Sequence, residues 1–165
     1  MASTVSVNCV MKATGTQTFT GDEISGSDNT ITYSGRDKDS SYNASSSVPV
    51  TKVAAGTVTL SSGTGSLNFA ALSGRNADET VDMTGLKPQI VKFIAPSTNA
   101  NPITIAEGAS NGLALLGASF TFSLKPSQEA QFYLADAAPD IASGDRVLDI
   151  TGTGSQTLHW ITYAG

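Results

Sequence analysis

The sequence is poor in the residues that carry most protein chemistry: of 165 residues one is Cys, one is His, one is Trp, and only 14% are charged. Cys9 has no partner within the chain, which excludes an intrachain disulfide framework. One Cys and one His cannot build a four-ligand zinc cage. The only histidine, His159, sits beside Trp160 in a strand-like run and reads as a partly exposed strand residue, not as the base of a nucleophile pair. There is no Gly-x-Ser-x-Gly elbow, phosphate-binding loop, dinucleotide fingerprint or His-Glu-x-x-His pattern. No uninterrupted apolar run approaches the ~20 residues of a membrane span. The opening MASTVSVNCVMKATG has no basic head followed by an apolar stretch, so no secretory signal is expected. Nine Lys+Arg stand against fourteen Asp+Glu, a net charge of −5, which removes the basic footprint of a nucleic-acid binder. The expectation is a protein that is not an enzyme, holds no cofactor or metal, and engages neither nucleic acid nor membrane.

What the chain does contain is Ser, Thr and Gly, together about a third of it, well above ordinary usage. With few charged helix formers and many β-branched residues, this composition favours strands. The length suits one domain of about 100–200 residues, large enough to fold without disulfide or metal. Two regions differ. Thr4–Met11 alternates, with Val5, Val7 and Cys9 on one side, as a half-buried strand does. Residues 21–47 are Ser-, Asp- and Gly-rich and read as a polar connector too poor in apolar surface to order alone. Residues 1–47 are therefore expected to be an N-terminal strand or arm with its connector, and 48–165 the main domain.

Within 48–165 short apolar runs alternate with turn signals. The expected strands are Val48–Val53, Thr57–Leu60, Ser66–Leu72, Gln89–Ala95, Pro102–Ala106, Leu113–Leu116, Phe120–Leu124, Glu129–Ala135, Arg146–Thr151 and Gln156–Tyr163. Turns are expected at 62–65, 96–99, 125–127, 143–145 and 151–154. Asn76–Met83 is the weakest segment, a loop or one short turn before it is a helix. Many short strands without helical periodicity indicate an all-β, antiparallel sandwich, jelly-roll-like, with an extended N-terminal arm. The carboxylates Asp78, Glu79 and Asp82 cluster in a polar segment and read as solvated surface, not as a glycosidase pair. Asp136, Asp140 and Asp145 lie in a Gly/Pro loop that offers calcium-type ligands but matches no EF-hand spacing, and a side-chain-stabilised turn is the simpler reading. Arg146 has Asp145 and Asp149 as candidate partners, an exposed pairing worth ~0–1 kcal/mol.

The segments Asn99–Ala106, Gly108–Gly117, Leu124–Ala130, Asp136–Asp140 and Asp149–Gln156 give residues of about 50–163 a likeness to small auxiliary head proteins of tailed bacteriophages, the decoration or cement proteins. The resemblance implies a β-rich homotrimer on the exterior of a capsid assembled in the host cytoplasm, bound to the major capsid protein where subunits meet. In that picture Val5, Val7, Val10 and Phe19 are the apolar anchors of the arm, lying on the capsid or on a sister protomer. The alternative expectation is a jelly-roll module that recognises a glycan or host surface, for which exposure of Trp160, Tyr133 or Tyr163 is the discriminating sign.

Overall fold

Alternating Thr, Val, Ile and aromatic runs broken by Gly and Pro form strands throughout the computed structural model, which describes residues 6–11, 15–19, 29–33, 38–74 and 79–165. They are β1 (Ser6–Met11), β2 (Gly15–Phe19), β3 (Asn29–Tyr33), β4 (Lys38–Asn43), β5 (Lys52–Thr59), β6 (Thr64–Asn68) and β7 (Leu72–Ser73). After these come β8 (Thr80–Val81), β9 (Pro88–Ile94), β10 (Ile103–Glu107), β11 (Thr121–Leu124), β12 (Glu129–Tyr133), β13 (Val147–Thr151) and β14 (Thr157–Ala164). Among the described residues there is no helix, so none long and apolar enough to cross a membrane.

The chain divides into two units, one built on Asn8–Ser41 and the other on Met1–Val7 with Tyr42–Gly165. In the first, β2 pairs antiparallel with β3, from Gly15 opposite Tyr33 to Phe19 opposite Asn29. β1 pairs with β4. Strands therefore occur inside 21–47, where the composition predicts only a connector. Thr30, Ile31, Thr32 and Tyr33 are β-branched or aromatic, and a paired partner supplies the hydrogen bonds that a count of apolar residues leaves out.

The second unit holds two four-stranded sheets, β11-β10-β13-β6 and β12-β9-β14-β5, with antiparallel neighbours throughout. Their inward residues merge into one sandwich-like core. Leu67, Ile103, Ile105, Leu124, Leu148 and Ile150 come from the first sheet, and Ala54, Val91, Phe93, Leu158 and Trp160 from the second. β7 and β8 form a small ladder of their own beside it.

Several expected boundaries shift for identifiable reasons. The two runs at 48–60 are one strand, β5, because Gly56 continues the ladder opposite Trp160. Ser62 and Gly63, at φ 52° and 84°, then make a two-residue turn closed by mutual bonds between Ser61 and Thr64. Leu113–Leu116 is not a strand: Leu113 and Leu115 are buried at strand spacing, but the Leu115 N–H bonds to the Leu113 carbonyl at 2.8 Å and bends the backbone. The Lys-Pro-Ser turn forms as expected, with Ser127 at φ 69° and the Gln128 N–H on the Lys125 carbonyl. Of Asn76–Met83, residues 76–78 lie outside the described ones, and Thr80–Val81 pairs with Leu72–Ser73.

Among the described residues most buried polar side chains are satisfied, while Arg146 Nε and Thr162 Oγ1 are not. Asn99 holds both the N–H and the carbonyl of Thr157, at 3.0 and 2.7 Å. Gln156 accepts from the Thr153 N–H and donates to the Asn101 carbonyl. Gln89 joins the backbone of Asp136 to the carbonyl of Gly165. Thr162, fully buried on β14, leaves its Oγ1 without a partner. An unsatisfied buried hydroxyl costs about 1–3 kcal/mol. Thr162→Val is therefore expected to raise stability by about 1 kcal/mol, read as a higher urea midpoint at unchanged slope. A lower midpoint would count against this accounting.

Candidate functional site

Three surfaces of the sandwich are built well enough to do something. The first is the outer face of the β11-β10-β13-β6 sheet. Register aligns Ser123, Thr104, Thr151 and Thr64 in one row across all four strands, and Thr121, Ala106, Asp149 and Ser66 in the next. Rows of this kind repeat about every 4.8 Å across strands and about 6.7 Å along them. Six of these eight side chains are small hydroxyls, the others being Ala106 and Asp149. Thr104 and Ser123 are bonded to each other at 2.8 Å. The carboxylate of Asp149 is occupied by the Ala109 N–H, also at 2.8 Å.

The second surface is the opposite outer face, and its character is different. Its rows run Val53, Tyr163, Ile90, Tyr133 and Ala55, Ile161, Lys92, Gln131. Ile90 is buried although it points outward, and the Tyr42 ring stacks on Tyr133 with centroids 5.4 Å apart. Val53 stays 39% exposed. Burial pushes the Tyr163 phenol above its ordinary range. His159 lies exposed on this face, its Nδ1 2.7 Å from Thr57 Oγ1.

The third is an open cleft of about 220 Å³ at the flank between β5 and β6. Thr57 and Val58 line it from β5, Ser66, Leu67 and Asn68 from β6, Ala71, Leu72 and Ser73 from the following loop and β7, and Trp160 from β14. Asn68 is oriented there, because its Oδ1 accepts the Ala70 N–H at 3.0 Å. In the sequence Trp160 stands out as a member of the alternating Leu158–Trp160–Thr162 run and as an aromatic whose exposure bears on function. The partners that make a cleft around it come from three other strands, and no local pattern connects them.

The other sequence-singled residues are dispersed. Val5 lies outside the described residues; Val7 and Val10 are on β1 and Phe19 on β2, with side chains outside the described set, as is that of Cys9. Asp78 is likewise undescribed, and Glu79 and Asp82 are exposed. Bonds from Thr84, with the charges of Lys52 and Arg146, hold the Asp82 carboxyl below its usual value. Asp136 sits at φ 69° and pairs with Lys87 at 3.4 Å, while Asp145 and Ala142 exchange backbone bonds in a turn. Among the described residues no three His, Cys, Asp or Glu come together as a metal would require. Nor does Arg146 pair with Asp145 or Asp149, since the latter is already engaged and the described ion pairs are Lys87–Asp136 and Lys92–Glu129.

Compared with family models, with curated proteins and with solved structures, the chain matches none. Its function is therefore read from its own residues.

Proposed function

We propose that this chain is a structural virion protein: a decoration or cement protein that binds the outside of an assembled bacteriophage head where capsid subunits meet and holds them together. The carrying observation is the hydroxyl-rich face centred on Thr104 and Thr151, a surface of short side chains that lose little rotamer freedom on contact. The likeness of residues 50–163 to such proteins supports the same reading. Strand order supports a jelly roll. Of the eight sandwich strands, β5 pairs with β14, β6 with β13, β9 with β12 and β10 with β11, as when one long two-stranded ribbon is wrapped around a core.

A protein that prefers the assembled shell to free subunits stabilises the shell by mass action. Many copies, each engaging several contacts at once, make modest interfaces effective. The partners in this reading are the major capsid protein and two sister copies in a closed trimer. Val5, Val7, Val10 and Phe19 anchor the arm.

The test mixes the purified chain with heads prepared from particles that lack it and measures cosedimentation. Thr151→Lys, which places a long cation in the middle of that face, is expected to weaken attachment about tenfold or more while the domain stays folded. Deleting residues 1–20 is expected to abolish attachment. Unchanged binding of the lysine variant overturns the role of the face, and unchanged binding of the truncation overturns that of the arm.

The second reading, a glycan- or host-surface module, draws less support from the aromatic residues. Trp160 is only 4% exposed and Tyr133 is covered by Tyr42, which leaves Tyr163 half-buried. What that reading retains is the cleft.

A further inference from the structure

We propose that β11 is the edge through which two copies of this chain join, strand to strand, in an antiparallel two-fold contact. β11 closes one side of its sheet and is bonded there to β10 alone. The register settles which of its main-chain groups are used. The Glu107 N–H donates to the Phe120 carbonyl, so the opposed pairs Ile105–Phe122 and Ile103–Leu124 are the ones that exchange hydrogen bonds. On the other side of β10 the Gly108 N–H donates to the Val147 carbonyl, which fits the same phase. The N–H and carbonyl of Thr121 and of Ser123 therefore point away from the sheet, and both residues are exposed. Among the described residues nothing receives them.

An open edge of this kind is normally guarded by a charge, a proline or a bulge. Thr121–Leu124 contains none of these. β12, an edge of the other sheet, does carry a charge, Glu129 in its pair with Lys92. Beside the open edge, Phe120, Phe122 and Phe132 pack on the core but stay partly exposed, so apolar surface adjoins the free groups.

The edge is self-complementary, which selects a second copy as its occupant. Thr121 and Ser123 lie one on either side of Phe122, so a two-fold axis at Phe122 sets Thr121 opposite Ser123 of the second copy, and the reverse. Every outward N–H then meets an outward carbonyl. The two Phe122 residues become a non-hydrogen-bonded pair, the kind whose side chains lie closer, and each ring covers the other. The same register puts Lys125 opposite Ser119 of the second copy. The Ser119 N–H holds the Glu107 carboxylate, while Lys125 has no acidic partner among the described residues. Opposite charges thus meet at both ends of the contact. The contact is independent of head attachment; where copies also form the trimer of that reading, this edge joins one trimer to the next.

The test is sedimentation equilibrium of the full chain from about 1 to 500 µM, paired with amide hydrogen exchange. A contact one short strand long is small, so half-association is expected in the ~10–100 µM range. In dilute chain the Thr121 and Ser123 amides exchange fast and the Phe122 amide slowly. Association is expected to slow the first two about tenfold or more and to leave the third unchanged. Ser123→Pro removes an N–H that β10 does not use, and is expected to weaken association about tenfold or more. Lys125→Glu sets like charges at both ends and is expected to weaken it about threefold or more at low salt. Amide spectra at low concentration establish that both variants are folded. A mass that does not rise with concentration overturns the proposal. So does association that leaves Thr121 and Ser123 unprotected, or that Ser123→Pro leaves undiminished. Undiminished association of Lys125→Glu overturns the antiparallel register.

Discussion

Replacing Phe93 with alanine is expected to destabilise the sandwich by about 3–5 kcal/mol, the largest effect of any single substitution considered. Phe93 is fully buried near the end of β9 and belongs to the core formed by both sheets' apolar residues. Its ring meets Phe122 at 5.9 Å between centroids, and Phe122 in turn meets Phe132 at 5.4 Å and Phe120 at 6.4 Å. Removing it forfeits the transfer energy of the ring and opens a cavity whose walls are held by ladder hydrogen bonds on either side, so collapse is limited. Against a total stability of about 5–15 kcal/mol the loss is large. In a thermal scan it corresponds to a fall of roughly 6–20 °C. Phe122→Ala is the comparison, with a smaller fall expected because Phe122 is only partly buried. Equal falls would mean that the aromatic cluster, not burial, sets the cost.

The second large effect is expected from Gly63→Ala, a loss of roughly 2–4 kcal/mol. Two separate penalties add. At φ 84° the residue occupies the left-handed region, which an L side chain enters at a cost of about 1–2 kcal/mol. A Cβ would also stand 2.6 Å from the Gly152 carbonyl oxygen, which is backbone and cannot swing aside. The strain falls on two bonds that join the β5–β6 turn to the loop after β13: Gly63 N–H to Gly154 O and Gly152 N–H to Gly63 O, both 2.9 Å. Gly85 separates the two penalties, since its φ is 80° but a Cβ there meets nothing within 4 Å. Gly85→Ala is expected to cost only about 1 kcal/mol. Chemical denaturation of the two variants side by side measures the difference; equal losses would show that the close approach to Gly152 is relieved without cost.

How much of this was legible beforehand depends on the segment. The alternations Phe120–Phe122–Leu124 and Leu158–Trp160–Thr162 were readable because a strand buried on one face shows its period directly, and both segments carry β11 and β14. β9 shows the limit of that rule. Its burial is nearly continuous from Pro88 to Phe93, because the outward Ile90 is covered beside the Tyr42–Tyr133 stack, a contact between residues far apart in sequence. Leu113 and Leu115 show the converse, with strand-like spacing on a backbone that turns. The polar run at 29–43 forms strands for a reason absent from hydrophobicity, since a ladder is held by main-chain bonds and asks of its side chains only that they tolerate extension.

The candidate surfaces divide in the same way. That the chain would be all-β, rich in hydroxyl groups and poor in reactive ones follows from composition and period alone, because those properties add residue by residue. Which hydroxyls stand side by side, and that Asn68, Ser73 and Trp160 surround one cleft, depends on register and on how the two sheets meet. Those are pairings between residues distant along the chain, and the energies that select them belong to the packed core and not to any local stretch of sequence.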